Sequence, residues 1–231
     1  MTETDHASTT DDGTDPSDAD DPAESERQTI AALYELCAGV LADPPGTDAV
    51  EHIVSVGVPE PQVAPNDQLA RGFELLDRWR LSVDDPDDAA SALERSHTRL
   101  FVGPRPTLQI HESYYGDDYL GKPLARVQGS YAELGIEPAP DLREEADHAA
   151  VELAALAVLT RREAEDPTDK EWFLREHGWW FDDLAADVDE AAADESDFYR
   201  GVGAIVGGLV RLDAERLEID LETDEERDRK R

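Results

Sequence analysis

The sequence predicts an all-α fold: one helical domain of about eight or nine helices between acidic, unstructured ends. Three observations carry that expectation. Apolar residues recur at i, i+3, i+4 and i+7 through residues 27–212, the period of a helix with one buried face. No stretch of this body alternates apolar and polar residues as a half-buried strand does. The periodic segments are separated by proline, glycine and aspartate punctuation, and no internal repeat relates them.

The first helix carries Ile30, Leu33, Tyr34, Cys37, Val40 and Leu41 on one face, and Asp43-Pro44-Pro45-Gly46 stops it. A short second helix spans 48–56, and a proline-rich linker covers 58–65. Leu69, Phe73, Leu76 and Trp79 define the third helix. Asp85 supplies a cap and Pro86 the first position of a fourth, whose face is Ala89, Leu93, His97, Leu100 and Phe101. A fifth starts at Pro123 with Leu124, Val127, Tyr131 and Leu134, and residues 135–140 break it. A long sixth helix is expected from Leu142 through Ala149, Leu153, Leu156 and Ala157 to the Asp166-Pro167 stop. Trp172, Phe173, Trp179, Trp180 and Phe181 crowd the next helical region, with a kink at Gly178. Phe198, Tyr199, Val202, Ile205, Val206, Leu209 and Val210 mark the last helix.

The ends read differently. Residues 1–26 hold no Leu, Ile, Val, aromatic, Lys or Arg, so they cannot bury enough surface to offset ordering entropy; they are expected to be a disordered acidic tail. From 213 to 231 charge dominates again, and this stretch is expected to be a charged C-terminal tail. The alternation of Leu217, Ile219 and Leu221 leaves open a short extended piece docked on the body.

Composition narrows the function classes. Acidic residues outnumber basic ones 56 to 21, for a formal charge of −35, and lysine occurs only at 122, 170 and 230. The excess of carboxylates runs along the whole chain, a pattern that suits a high-salt cytoplasm, where dense surface charge keeps a protein hydrated. It argues against nucleic acid, because phosphate contacts need a basic patch. No apolar run reaches the length of a membrane span, and the acidic beginning lacks the features of a secretory signal, so a cytoplasmic location is expected. The single cysteine, Cys37, lies on an apolar helical face and reads as a buried thiol.

The long irregular segment 103–121, GPRPTLQIHESYYGDDYLG, sits between two helices and shows neither helical nor strand periodicity. Loops of this length are uncommon in compact domains unless they serve a function. It sets Tyr114, Tyr115 and Tyr119 among Glu112, Asp117 and Asp118. Aromatic faces beside carboxylates suit a guanidinium, through cation–π contact and bidentate hydrogen bonds. An ordinary acidic loop packed by its tyrosines is the other reading. On the sixth helix, Glu145, His148 and Glu152 share a stripe apart from the Leu153/Leu156 face, which reads as a solvated acidic face that favours protonated His148. Glu145-x-x-His148 and Glu94-x-x-His97 each match half of a di-metal carboxylate pattern, so a helical di-metal protein is the reading from another class. Trp172, Trp179 and Trp180 read mainly as core. No phosphate-binding loop, dinucleotide fingerprint or nucleophile elbow is present, and no enzyme activity or cofactor is expected.

Three motifs follow one another in order: His97-Thr-Arg-Leu-Phe-Val-Gly-Pro104, His111-Glu-Ser-Tyr-Tyr115, and Asp147-His148 with Val151-Glu-Leu153. Their order and spacing resemble the TorD/DmsD/NarJ group, chaperones dedicated to molybdenum-cofactor reductases, over about residues 28–212. Ala146 stands where the group has proline, and His111 falls at a variable position. The resemblance implies binding of the twin-arginine leader and apo form of a reductase catalytic subunit, of DMSO/TMAO-reductase type or, alternatively, nitrate reductase. It implies leader contacts at Gly103, Pro104, Glu112, Ser113, Tyr115, Asp147, His148 and Glu152, with no metal, and a monomer or homodimer.

Overall fold

A computed structural model describes residues 22–116, 122–137, 139 and 142–221. Among these residues all regular structure is helical, apart from one isolated antiparallel bridge between His111 and His148. The elements are α1 Pro22–Ala42, α2 Thr47–Val56, α3 Asp67–Leu81, α4 Pro86–His97, the single turn α5 Glu112–Tyr115, α6 Lys122–Glu133, α7 Ala149–Arg162, α8 Thr168–His177, α9 Phe181–Ala191 and α10 Asp197–Arg216.

The starts follow the sequence where capping chemistry is strong. Asp85 Oδ1 accepts from the amides of Asp87 and Asp88 at 2.9 and 3.1 Å, and Pro86 occupies the first turn of α4. Asn66 caps α3 through Leu69 N and also donates to Gly208 O, which ties the cap to α10. Gly178–Trp180 forms a short 3₁₀ turn where a kink is expected. Beyond His97 the chain continues as a π-helical turn, Thr98–Val102. Gly103 closes that turn through its amide to Thr98 O at 2.7 Å, and a Cβ there would sit 2.9 Å from the same oxygen.

Three boundaries depart from expectation. α1 begins at Pro22, so residues 22–26 are helical, held by Glu24 pairing with Arg27 and Gln28 on the first turns; residues 1–21 lie outside the described residues. α10 runs to Arg216, past the expected boundary at 213. Asp213 is fully buried rather than part of a solvated tail, and Ile219 folds back onto Ala214 O at 2.8 Å; residues 222–231 lie outside the described residues. The long sixth helix begins only at Ala149, for reasons that lie in the site itself.

α10 is the central element. It packs against α3 on one side and α9 on another, while α1 lies along α7. Close approach is achieved by removing side chains: a Cβ on Gly72 of α3 would meet Ile205 Cγ1 at 2.5 Å, and one on Gly203 would meet Val188 Cγ1 at 2.9 Å. Cys37 lies in the core, and burial pushes its thiol up to about 12. One ionic knot crosses this core. Lys170, wholly buried, binds Asp213 at 2.7 Å and Glu163 at 3.0 Å, and Tyr34 OH donates to Asp213 at 2.7 Å. It thereby joins α1, α8 and α10 to the end of α7. Among the described residues no helix is long and apolar enough to cross a membrane.

Candidate functional site

The second and third motifs meet as two antiparallel backbone segments. The amide of Ala149 donates to Ile110 O and that of Glu112 to Asp147 O, both at 2.8 Å, and the Tyr131 hydroxyl donates to Ala146 O at 2.9 Å. These bonds take up the backbone groups of residues 146–149 that a continuous helix would use. α7 therefore starts at Ala149. His148 is its N-cap, accepting from Ala150 N through Nδ1 at 3.2 Å. The expected stripe of Glu145, His148 and Glu152 on a solvated helix face is not formed. Glu145 is exposed in the preceding turn, and His148 and Glu152 are buried.

Below this clasp lies a buried layer of carboxylates. Glu112, 1% exposed, accepts from Trp179 Nε1 at 3.1 Å and pairs with His177 Nδ1 at 2.8 Å. Ser130 Oγ bridges from His177 Nε2 to the Arg126 carbonyl, at 2.8 and 3.1 Å. Glu152 is fully buried and accepts from Trp180 Nε1 at 3.0 Å. Its carboxyl is pushed well above the ordinary value, first by burial and then by the neighbouring Glu112 and Asp147 carboxylates. Its other oxygen, Oε1, is buried without a hydrogen-bond partner.

His148 is driven the other way. Burial, with His111 and His97 nearby, lowers its pKa to about 3, so the ring is neutral at physiological pH and free to act as an acceptor cap. The expected protonated His148 is thus corrected: Glu144 is 3.8 Å from Nε2, but desolvation outweighs its attraction. The His111 and His148 rings stand edge to face with centroids 4.9 Å apart.

Glu112, Asp147, His148 and Glu152 are therefore gathered in one place. Tyr115 joins them through its ring, 5.1 Å from that of Trp180, while its hydroxyl donates to Asp187 at 3.0 Å. Ser113 is half-buried on α5, and Gly103 and Pro104 lie at the end of the π turn rather than in the carboxylate layer. Glu112 as a surface reader of arginine is corrected as well: both of its oxygens are engaged below the surface. Asp117, Asp118 and Tyr119 lie outside the described residues. His177, Trp179 and Trp180 are the members that sequence reasoning did not assign; the aromatic crowding at 172–181 was their only signal.

Above the clasp the surface opens into a cleft of about 700 Å³, lined by Leu124, Tyr131, Ile136 and Leu142 and edged by Glu137, Glu144 and Glu145. A second apolar hollow of about 310 Å³ continues from it along α7 and α1, past Val151, Ala154 and Ala38. The di-metal pairing of the two Glu-x-x-His motifs is not formed. His97 is buried and its Nε2 faces Leu41 O at 3.1 Å, while Glu94 is exposed. Among the described residues, the group with metal-ligand spacing is instead His111, Glu145 and Asp147.

Residues 66–187 match the family described as nitrate reductase delta subunit, a span that covers just over half of the chain and contains all three motifs. The chain belongs to this family. Its members are maturation chaperones for molybdoenzymes, and the partner the family implies is a molybdoenzyme catalytic subunit. No match was found among curated proteins. Within the family match, residues 97–153 supply the clasp and 172–181 the aromatic and histidine groups beneath it.

Proposed function

We propose that this chain is a cytoplasmic chaperone that binds the twin-arginine leader and the cofactor-free body of a molybdopterin oxidoreductase catalytic subunit. It holds the subunit until cofactor insertion and then releases it for export. The observation that carries this reading is the cleft beside the clasp: an apolar floor of Leu124, Tyr131, Ile136 and Leu142 under the carboxylates of Glu137, Glu144 and Glu145. A leader presents the complementary pair, guanidinium groups followed by an apolar stretch. The arginines suit the rim and the apolar stretch suits the floor.

Asp147 and His148 anchor the wall of this cleft, and Glu112 and Glu152 brace them from inside. Ser113, Tyr115 and the Gly103-Pro104 turn extend the leader surface along the second motif. A chain of −35 net charge in concentrated salt cannot rely on long-range attraction, because at 1 M the Debye length is about 3 Å. Specificity then rests on short-range contact, where the planar arginine fork differs from a lysine of equal charge.

The client is a reductase of the DMSO/TMAO type or a nitrate reductase, and the family description favours the second. The test is titration of the full chain with client leader peptides in about 2 M KCl, a salt at which surface electrostatics are screened. The twin-arginine leader should bind and its twin-lysine counterpart should bind clearly less well. Leu142→Asp, at a position 40% exposed on the cleft floor, should abolish binding without loss of helicity. Equal binding of both peptides, or full binding by the Leu142 variant, would remove the cleft from consideration.

A further inference from the structure

The clasp carries a second feature, which shares Glu145 and Asp147 with the proposed leader surface. His111, Glu145 and Asp147 each offer a ligand atom within 4.8 Å of the others. They come from the two sides of the bridge: His111 from the second motif, Glu145 and Asp147 from the turn before α7. The turn is set by backbone bonds, His148 N to Glu145 O at 3.0 Å and Glu112 N to Asp147 O at 2.8 Å. These hold Asp147 in place while Glu145 stands at the solvent edge.

Two atoms here are buried without any partner: Asp147 Oδ1, on a side chain only 1% exposed, and His111 Nδ1. An orphaned carboxylate oxygen beside an orphaned imidazole nitrogen is costly unless something is bound between them, since buried polar groups are almost always satisfied. The two do not hydrogen-bond each other, so a proton on either still lacks its counterpart. A cation held between them satisfies both and draws in Glu145 as well.

We propose that His111, Glu145 and Asp147 form a mononuclear site for a divalent transition ion of the zinc type. One neutral imidazole and two carboxylates neutralise the dication and match the mixed nitrogen–oxygen donor sets that zinc accepts. Magnesium and calcium prefer oxygen alone, so the imidazole selects against them. Donors at zinc–ligand distances in tetrahedral geometry are about 3.3 Å apart. The three donors must draw together, and Glu145, the exposed member, is the one with freedom to move. Three protein ligands leave the fourth position open to water or to an oxygen donor from a client. His148 is not a ligand: its Nδ1 caps α7. The ion would staple the 145–147 turn to the second motif at the edge of the cleft.

The test uses the purified full chain in concentrated KCl without peptide, so it is independent of the leader reading. Protein stripped with chelator is titrated with Zn²⁺ by calorimetry and with Co²⁺ by its visible absorption. The expected result is one ion per chain, a raised thermal midpoint, and no displacement by excess Mg²⁺ or Ca²⁺. Asp147→Asn and His111→Ala should each abolish stoichiometric uptake, and Glu145→Gln should weaken it. His52→Ala, on the exposed face of α2, should leave uptake unchanged. Circular dichroism checks that the variants are folded, and if Asp147→Asn is not, the His111 variant decides. Absence of uptake by the wild type, or uptake that survives His111→Ala, overturns the site.

Discussion

The buried carboxyl of Glu152 makes folding stability depend on pH in an unusual direction. Its pKa is raised in the folded protein by burial and by Glu112 and Asp147, so the folded state holds a proton that the unfolded chain releases above about 4.5. The sign follows: its contribution is most favourable below that value and declines as pH rises toward the folded pKa. Each pH unit in that interval corresponds to about 1.4 kcal/mol. Glu152→Gln removes the titration while keeping the shape: the amide oxygen still accepts from Trp180 Nε1. The variant should match the wild type near pH 4.5. Its advantage should then grow by about 1.4 kcal/mol per pH unit above it, over the range in which the folded state keeps its proton. The assay is denaturant unfolding of both proteins at pH 5, 6 and 7 in the same concentrated salt. Taking the difference matters, because neutral His148 acts oppositely. Its lowered pKa makes stability fall as pH drops below about 6.5, and this term is common to both proteins and cancels. A difference that stays flat with pH, or a variant less stable than wild type at pH 7, would show that Glu152 is ionised in the fold and the argument wrong.

Two other outcomes follow from the packing and charge. Lys170→Met leaves buried Asp213 with only the partly exposed Arg216, 3.2 Å away, as counter-charge and should cost about 3 kcal/mol in denaturant unfolding; adding Asp213→Leu should recover part of the loss, and a fully stable single variant would remove the knot's structural role. Lowering KCl should unfold the chain, because 56 acidic against 21 basic residues repel once screening is lost; helicity by circular dichroism that persists at about 10 mM salt would refute this.

Helix positions were legible because each buried face repeats with the helical period, and because Asp85-Pro86 is a strong local start signal. The start of α7 was not. Glu144, Glu145 and Asp147 sit well in the first turn of a helix, and only pairing with Ile110 and Glu112, distant in sequence, takes the backbone elsewhere. The same distance hid the carboxylate layer. Glu112 and His177 are 65 residues apart, and nothing local to either says that they pair. The residues of the three motifs could be read as belonging together, but their burial could not. Spacing tells which residues share a face and not which face the fold covers. Lys170 carried a faint signal, as one of three lysines in a chain dominated by acids. Asp213 carried none, since a charged neighbourhood in sequence says little about the neighbourhood in space.

The central position of α10 has a consequence for how the protein is made. Tyr34 on α1 waits for Asp213, Gly72 on α3 for Ile205, and the cap at Asn66 for Gly208. α3 therefore finds its main partner, and α1 this second one, only after nearly the whole domain has emerged from the ribosome. Until then the apolar faces of α1 and α3 stand open, in a chain whose dense negative charge keeps such intermediates apart. The carboxylate coat then serves nascent chains as well as finished ones. A chaperone built this way completes the packing of α3 only once α10 has been made.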